Sequence, residues 1–135
     1  MPKEDYLIKY LEKLSRAVAA MLGFRDKGFP EDAIRLADET YRELLGNGND
    51  EILTMDNERF VELVQKAGYS STYIESMAQL TEQTADSYTA LNDNEKALQF
   101  YSKALQLYDY LNEKDKTFSF EREMKISALK NKINS

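Results

Sequence analysis

The chain has 24 Asp and Glu residues but neither histidine nor cysteine. Without these two residue types it cannot build a Ser–His–Asp or Cys–His nucleophile, and it lacks the usual ligands of zinc and copper sites. The di-iron site of helical bundles also requires histidine, in a Glu-x-x-His motif. The chemistry that remains is that of carboxylates with Mg²⁺ or Mn²⁺.

Carboxylate pairs at helical spacing are the residues to test for that chemistry. Helical nucleotide pyrophosphatases are similar in class and use acidic pairs three residues apart, a spacing that this sequence does not contain. Pairs four residues apart do occur, among them Glu39/Glu43, Glu58/Glu62 and Glu82/Asp86. A solvated helix face explains each pair, and "GNGND" lacks the Lys and Ser/Thr of a P-loop. We therefore expect no catalytic residues, no metal and no cofactor, with a carboxylate–Mg²⁺ enzyme as a remote alternative.

Composition indicates one globular domain over residues 1–135. The chain is 42% hydrophobic and 31% charged, with a net charge of −6. Its Lys and Arg residues are scattered, so the sequence offers no basic stripe for nucleic acid. Its longest apolar run, residues 17–24, is too short to cross a bilayer. The first residues do not read as a signal peptide, and a cytoplasmic protein is expected.

Apolar residues recur every three or four positions, which predicts an all-α protein. The expected helices run from about 5 to 26, from Pro30 to Gly46, from about 55 to 67, from about 72 to 91, from about 94 to 111, and from about 117 to 133. Thr72 and Glu75 have the spacing of a capping box at the start of the fourth helix. Gly68 is the expected C-cap of the short third helix.

The final helix is expected to cap one end of the domain. Its inward residues are predicted to be Phe118, Met124, Ile126, Leu129 and Ile133, and its outward residues Arg122, Lys125, Lys130 and Lys132. Phe118 and Phe120 cannot both face one core. One of them is expected to contact a neighbouring helix end or a second subunit.

Two stretches of the chain can be superimposed. Placing Ala33 on Ala97 aligns the pairs Phe24/Tyr88, Gly28/Asn92, Ala37/Tyr101 and Thr40/Ala104. In each copy an aromatic residue precedes a turn, and small residues then let two helices approach closely. The turn needs a residue that tolerates positive φ, which Gly and Asn provide.

These features resemble the tetratricopeptide repeat, a two-helix unit that stacks into a superhelix. The two copies are residues 14–47 and 78–111, and the second departs from the pattern at Thr81, Thr84 and Ala85. The resemblance implies antiparallel αα-hairpins in a short right-handed superhelix, with an inserted helix in 48–71 and the capping helix at 117–133. The opening "EDYLIKYLEKLSRAVAAML" also resembles the start of a small uncharacterised bacterial family of such proteins, which implies a bacterial setting and no activity.

The resemblance also implies a groove lined by the first helix of each repeat. The implied groove residues are Gln79, Glu82, Asp86, Thr89 and Ala90 in the second copy, and Ser15, Val18, Leu22, Arg25 and Asp26 in the first. The Lys and Asn of the chaperone-binding carboxylate clamp are absent. Glu82 and Asp86 would favour a cationic ligand such as a Lys- or Arg-bearing peptide. Val18 and Leu22 are apolar, which raises the alternative that the 55–67 helix fills the groove with Phe60, Val61 and Val64.

The tyrosines fall into two groups. Tyr41, Tyr88, Tyr101 and Tyr108 lie on predicted inner faces and are expected in the core rather than at a ligand. The other group, Tyr6, Tyr10, Tyr69, Tyr73 and Tyr110, has no predicted place in the core. A cluster of exposed tyrosines would mark an interface.

The expected function is a non-catalytic adaptor that binds a protein or peptide partner. The alternative is a structural protein that forms a homodimer, because a short helix stack leaves its terminal faces exposed.

Overall fold

A computed structural model describes residues 3–116 and 118–135, with side chains from Tyr6 onward. All regular structure in these residues is helical, which confirms the all-α prediction. The helices are α1 (Lys3–Asp26), α2 (Pro30–Leu45), α3 (Asn49–Thr54), α4 (Asn57–Ala67), α5 (Ser71–Ala90), α6 (Asn94–Asp115) and α7 (Phe120–Ile133). Within the described part of the chain, none of them is long and apolar enough to span a membrane.

Two helical hairpins have turns with the same backbone geometry. Gly28 between α1 and α2 has φ 85°, and Asn92 between α5 and α6 has φ 63°, as the sequence comparison predicted. Phe29 N–H donates to the Phe24 carbonyl at 2.7 Å, and the equivalent Asp93 N–H donates to the Tyr88 carbonyl at 2.9 Å. Gly28 N–H bonds to the Arg25 carbonyl (3.0 Å) just as Asn92 N–H bonds to that of Thr89 (2.9 Å). The two turns therefore close in the same way.

Helix α5 is the centre of the core and packs against α1, α2 and α6. Its small and hydroxyl-bearing residues allow this, because Thr81 and Thr84 bond back to carbonyls of their own helix and leave their methyl groups for packing. Tyr41 of α2 lies fully buried against them, with its hydroxyl 3.0 Å from Thr84 Oγ1. Its ring stacks on Phe100 of α6, with centroids 6.2 Å apart.

The segment 48–71 forms two helices: α4 is the helix predicted over about 55–67, and α3 is an additional helix that was not predicted. α3 begins at Asn49, which is buried and donates through its side chain to the Ile34 carbonyl at 3.0 Å. The residue types of "GNGND" predict a break between helices, but its last two residues form the first turn of α3. The Glu51 side chain stabilises this turn, because its Oε1 accepts from the Gly48 N–H just before the helix. α4 starts one residue after Asp56, whose carboxylate accepts from Arg59 N–H at 2.8 Å. α4 ends before Gly68, the expected C-cap.

The start of α5 is also corrected. The helix begins at Ser71, and its N-cap is Ser70, whose hydroxyl accepts from Tyr73 N–H at 3.1 Å. Thr72 already lies inside the first turn, so it cannot pair with Glu75 as a capping box. A serine two residues earlier reaches the same free N–H groups first.

Helix α7 begins at Phe120 rather than near 117, because Ser119 caps it by accepting from Arg122 N–H at 3.2 Å. Thr117, where the helix was expected to start, lies outside the described residues. Arg122, expected on the outside, is buried and donates to Asn112 Oδ1 (3.2 Å) and Asp115 Oδ2 (3.4 Å). This orientation turns Phe118 and Met124 outward, 76% and 59% exposed, contrary to prediction.

Candidate binding surface

The predicted groove residues lie on α1 and α5, which pack against each other. Arg25 and Asp86 come together: the guanidinium Nη2 is 3.9 Å from Asp86 Oδ2. Arg25 also donates to Ser87 Oγ at 3.4 Å, which fixes it beside the carboxylate. Thr89 lies one turn further along α5, and Gln79 lies about two turns before Asp86 on the same helix.

Asp86 binds a second cation, from α7. Lys132 Nζ is 3.1 Å from Asp86 Oδ1 and 5.0 Å from the centre of the Tyr101 ring. The Tyr101 hydroxyl donates to the same carboxylate oxygen and lies 3.3 Å from Thr89 Oγ1. We call Asp86, Tyr101 and Lys132 the Asp86 layer.

Glu82 forms a similar arrangement one turn earlier on α5. Its Oε1 accepts from the Tyr108 hydroxyl at 3.1 Å, and Lys125 Nζ lies 5.8 Å from the Tyr108 ring centre. Burial raises the pKa of Glu82, and the Tyr108 hydrogen bond and the charge of Lys125 oppose that rise. We call Glu82, Tyr108 and Lys125 the Glu82 layer.

Helical periodicity places the two layers on one surface. Tyr101 and Tyr108 are seven residues apart on α6, and Lys125 and Lys132 are seven apart on α7, so each pair occupies one face of its helix. Burial raises the pKa of both tyrosine hydroxyls, which keeps them protonated and able to donate to the carboxylates. Both layers therefore combine a hydrogen-bonded carboxylate with an aromatic ring face, and both features attract an ammonium group.

Sequence reasoning found the carboxylates but missed their partners. Tyr101 and Tyr108 are buried, as expected, yet their hydroxyls belong to this surface. Lys125 and Lys132 were expected to face outward without a partner. The signal that could have found them is the shared seven-residue spacing of tyrosines and lysines.

The inserted segment does not cover the groove, so that alternative is wrong. Leu22 is 46% exposed and Val18 is only half-buried. Phe60 and Val64 are fully buried, but α4 packs mainly against α6 and α2. Phe60 instead meets Tyr41 of α2 edge-on, with ring centroids 6.4 Å apart.

The remaining carboxylate pairs show no convergence. Glu43 pairs with Lys13 at 2.6 Å, and Glu39, Glu58 and Glu62 are exposed. Within the described residues, no group of three or more potential metal ligands comes together.

The chain matches no known protein family. No curated protein and no solved structure matches it either. Any functional conclusion must therefore come from the geometry of its own side chains.

Proposed function

We propose that the chain is a non-catalytic adaptor that binds a lysine-bearing segment of a partner protein at the Asp86 and Glu82 layers. The observation that carries this proposal is the position of Lys125 and Lys132, which occupy both layers from a separate helix. In this proposal α7 covers the surface until a partner with the same chemistry displaces it.

Weak docking of α7 supports exchange. Of its apolar side chains only Ile126 and Leu129 are almost fully buried, each worth about 1.5–3 kcal/mol. Its lysine contacts are partly solvated: Lys132 and Asp86 side chains are 43% and 24% exposed, and such pairs contribute about 0.2–1 kcal/mol. A helix of this length is marginal on its own. Together with the Arg122 contacts to Asn112 and Asp115, these terms set the free energy that a competitor has to overcome.

The exposed edge of α1 extends the surface. Leu22 lies one turn before Arg25 on α1, and Val18 lies one turn before Leu22. A partner segment that places a lysine at Asp86 can therefore lay apolar side chains along α1. This combination of apolar contact and fixed charge suits an amphipathic helix.

The repeat architecture is part of the proposal. The identical turns at Gly28 and Asn92 support two equivalent hairpins. The packing of α5 on both α1 and α2 supports their stacking in the manner of tetratricopeptide repeats. The resemblance of the opening stretch supports a bacterial setting, and the sequence composition a cytoplasmic one.

A peptide experiment tests the adaptor proposal. A labelled peptide with the sequence of residues 119–135 is titrated with the chain carrying Lys125→Gln and Lys132→Gln, whose own α7 docks less tightly. We expect this peptide to bind saturably, as measured by fluorescence anisotropy. It should bind about tenfold more tightly than a matched peptide with glutamine at both lysine positions, because the two layers together contribute about 1–2 kcal/mol. Equal binding of the two peptides would contradict the proposal.

Self-association is a second candidate, supported by the outer face of α7. Phe118, Phe120 and Met124 are 76%, 67% and 59% exposed at one end of the molecule. Exposed apolar side chains of this size mark contact surfaces. Sedimentation of the chain and of its Phe120→Ser/Met124→Ser variant tests this: a dimer that the double substitution dissociates supports it, and a monomer in both cases refutes it.

A further inference from the structure

The five tyrosines that have no predicted place in the repeat core gather at the opposite end of α1 from its turn. Tyr6 and Tyr10 of α1, with Tyr69 from the α4–α5 connection, line a cavity of about 690 Å³. Tyr110 lies close to Tyr69. We call this cavity the tyrosine pocket. Its volume lies within the range of small-molecule sites.

Gly68 lines the tyrosine pocket, and the Tyr73 ring packs against this glycine. The Tyr73 ring lies 6.1 Å from that of Tyr10, centre to centre, and directly against Gly68. A Cβ at residue 68 would come within 2.4 Å of that ring, so this packing depends on a glycine. The Tyr73 hydroxyl is buried and has no hydrogen-bond partner among the described residues.

Two lysine ammonium groups lie at the tyrosine pocket. Lys66 lines it, and Lys114 lies with its Nζ 4.3 Å from the Tyr69 ring centre while donating to the Tyr69 carbonyl. Among the described residues that line the cavity there is no Asp or Glu. A cationic ligand would be repelled by both lysines, and one face of Tyr69 is already taken by an ammonium group. An anion is attracted.

The half-exposed rings determine the rest of the ligand. Tyr6 and Tyr69 are 49% and 65% exposed, which leaves aromatic surface open to an offset-stacked or edge-on partner. We propose that the tyrosine pocket binds a small planar aromatic molecule that carries a negative charge. This site is separate from the Asp86 and Glu82 layers, which take the opposite charge.

Two probes with the same ring and opposite charge test the proposal: 2-naphthalenesulfonate and 2-naphthylmethylammonium. Each is titrated into the whole chain at fixed ionic strength, and amide chemical shifts are followed by NMR. We expect the sulfonate to give saturable shifts at residues 6–10 and 65–70, and to bind about fivefold or more tightly than the ammonium.

Matched variants locate the contacts. Lys66→Gln should weaken sulfonate binding about fivefold, the effect of a unit charge about 4 Å away in water. Lys27→Gln is the control, because the length of α1 places Lys27 about 25 Å from Tyr10. Tyr69→Ala removes an exposed ring at little risk to the fold and should weaken binding as well. Thermal unfolding of each variant confirms that it is folded.

The proposal is overturned by any of four results. It is overturned if the ammonium binds as tightly as the sulfonate, or if the chemical shift changes map outside residues 6–10 and 65–70. It is also overturned if Lys66→Gln and Lys27→Gln have the same effect on sulfonate binding. A lack of saturable sulfonate binding up to its solubility limit would overturn it too.

Discussion

The contact between Lys132 and Asp86 should stabilise the docked position of α7, and a double-mutant cycle measures by how much. The two atoms are 3.1 Å apart, which gives about 1.3 kcal/mol of attraction for unit charges in water. Side-chain ordering offsets part of this, so we expect a coupling free energy of about 0.5–1 kcal/mol between Asp86→Asn and Lys132→Gln. Asp86→Asn alone should cost more than Lys132→Gln alone, because it also weakens the contacts with Arg25 and Tyr101.

Urea unfolding of the parent, both single variants and the double variant gives the four free energies of the cycle. A second cycle with Lys130→Gln in place of Lys132→Gln is the control, since Lys130 is exposed and makes no ion pair with Asp86. The coupling should shrink in 1 M salt in the first cycle only. A first-cycle coupling no larger than the control would refute the role assigned to the Asp86 layer.

Three further perturbations test the rest of the structure, each by urea unfolding. Phe60→Ala should lower the free energy of unfolding by about 3–5 kcal/mol, because this ring is fully buried against Tyr41. Phe120→Ala, at an exposed site, should change it by less than about 0.5 kcal/mol. Similar losses in the two variants would mean that α4 is not part of the core. Lys103→Met should raise the free energy of unfolding at pH 7 by about 1–3 kcal/mol, because the ammonium is buried and its hydrogen bond to Asn57 is long, at 3.5 Å. Burial lowers the pKa of Lys103 below its ordinary 10.5. The parent protein should therefore gain stability as the pH rises through the folded-state pKa towards 10.5, and the methionine variant should not show this gain. Identical pH profiles of the two proteins would contradict this explanation. Asn92→Ala should lower the free energy of unfolding by about 1–2 kcal/mol, because residue 92 has φ 63°. Asn92→Gly should change it little, since glycine adopts positive φ freely. An equal loss in both variants would show that the turn does not require positive φ.

The sequence predicted the features of the fold that local chemistry determines. Gly28 and Asn92 take positive φ, α2 begins at Pro30, and α2 ends at Gly46 in a left-handed conformation. Each of these depends on one residue type and its immediate neighbours. α3 was not predicted because Asn49 is a turn-forming residue by type. Its bonds to α2, from its side chain to the Ile34 carbonyl and from its N–H to the Asp38 carboxylate, hold it at the start of a helix.

The candidate surface was predictable only in part, because its partners come from separate helices. Glu82 and Asp86 are one turn apart on α5, which the sequence displays directly. The lysines that reach them depend on the rotation of α7 about its axis. Arg122 sets that rotation by turning inward to Asn112 and Asp115, against the expectation that a charged side chain faces water. The seven-residue spacing of Lys125 and Lys132 shows that they share one face of α7, but not the direction in which that face turns.

Amide hydrogen exchange of the whole chain tests the central claim that α7 occupies the surface at which a partner protein binds. We expect residues 126–130 of α7 to exchange faster than residues 80–84 of α5, and to exchange faster still when the lysine-bearing peptide of residues 119–135 is added in excess. The peptide with glutamine at both lysine positions should have much less effect. Protection of α7 that equals that of α5 and does not change with either peptide would contradict the account.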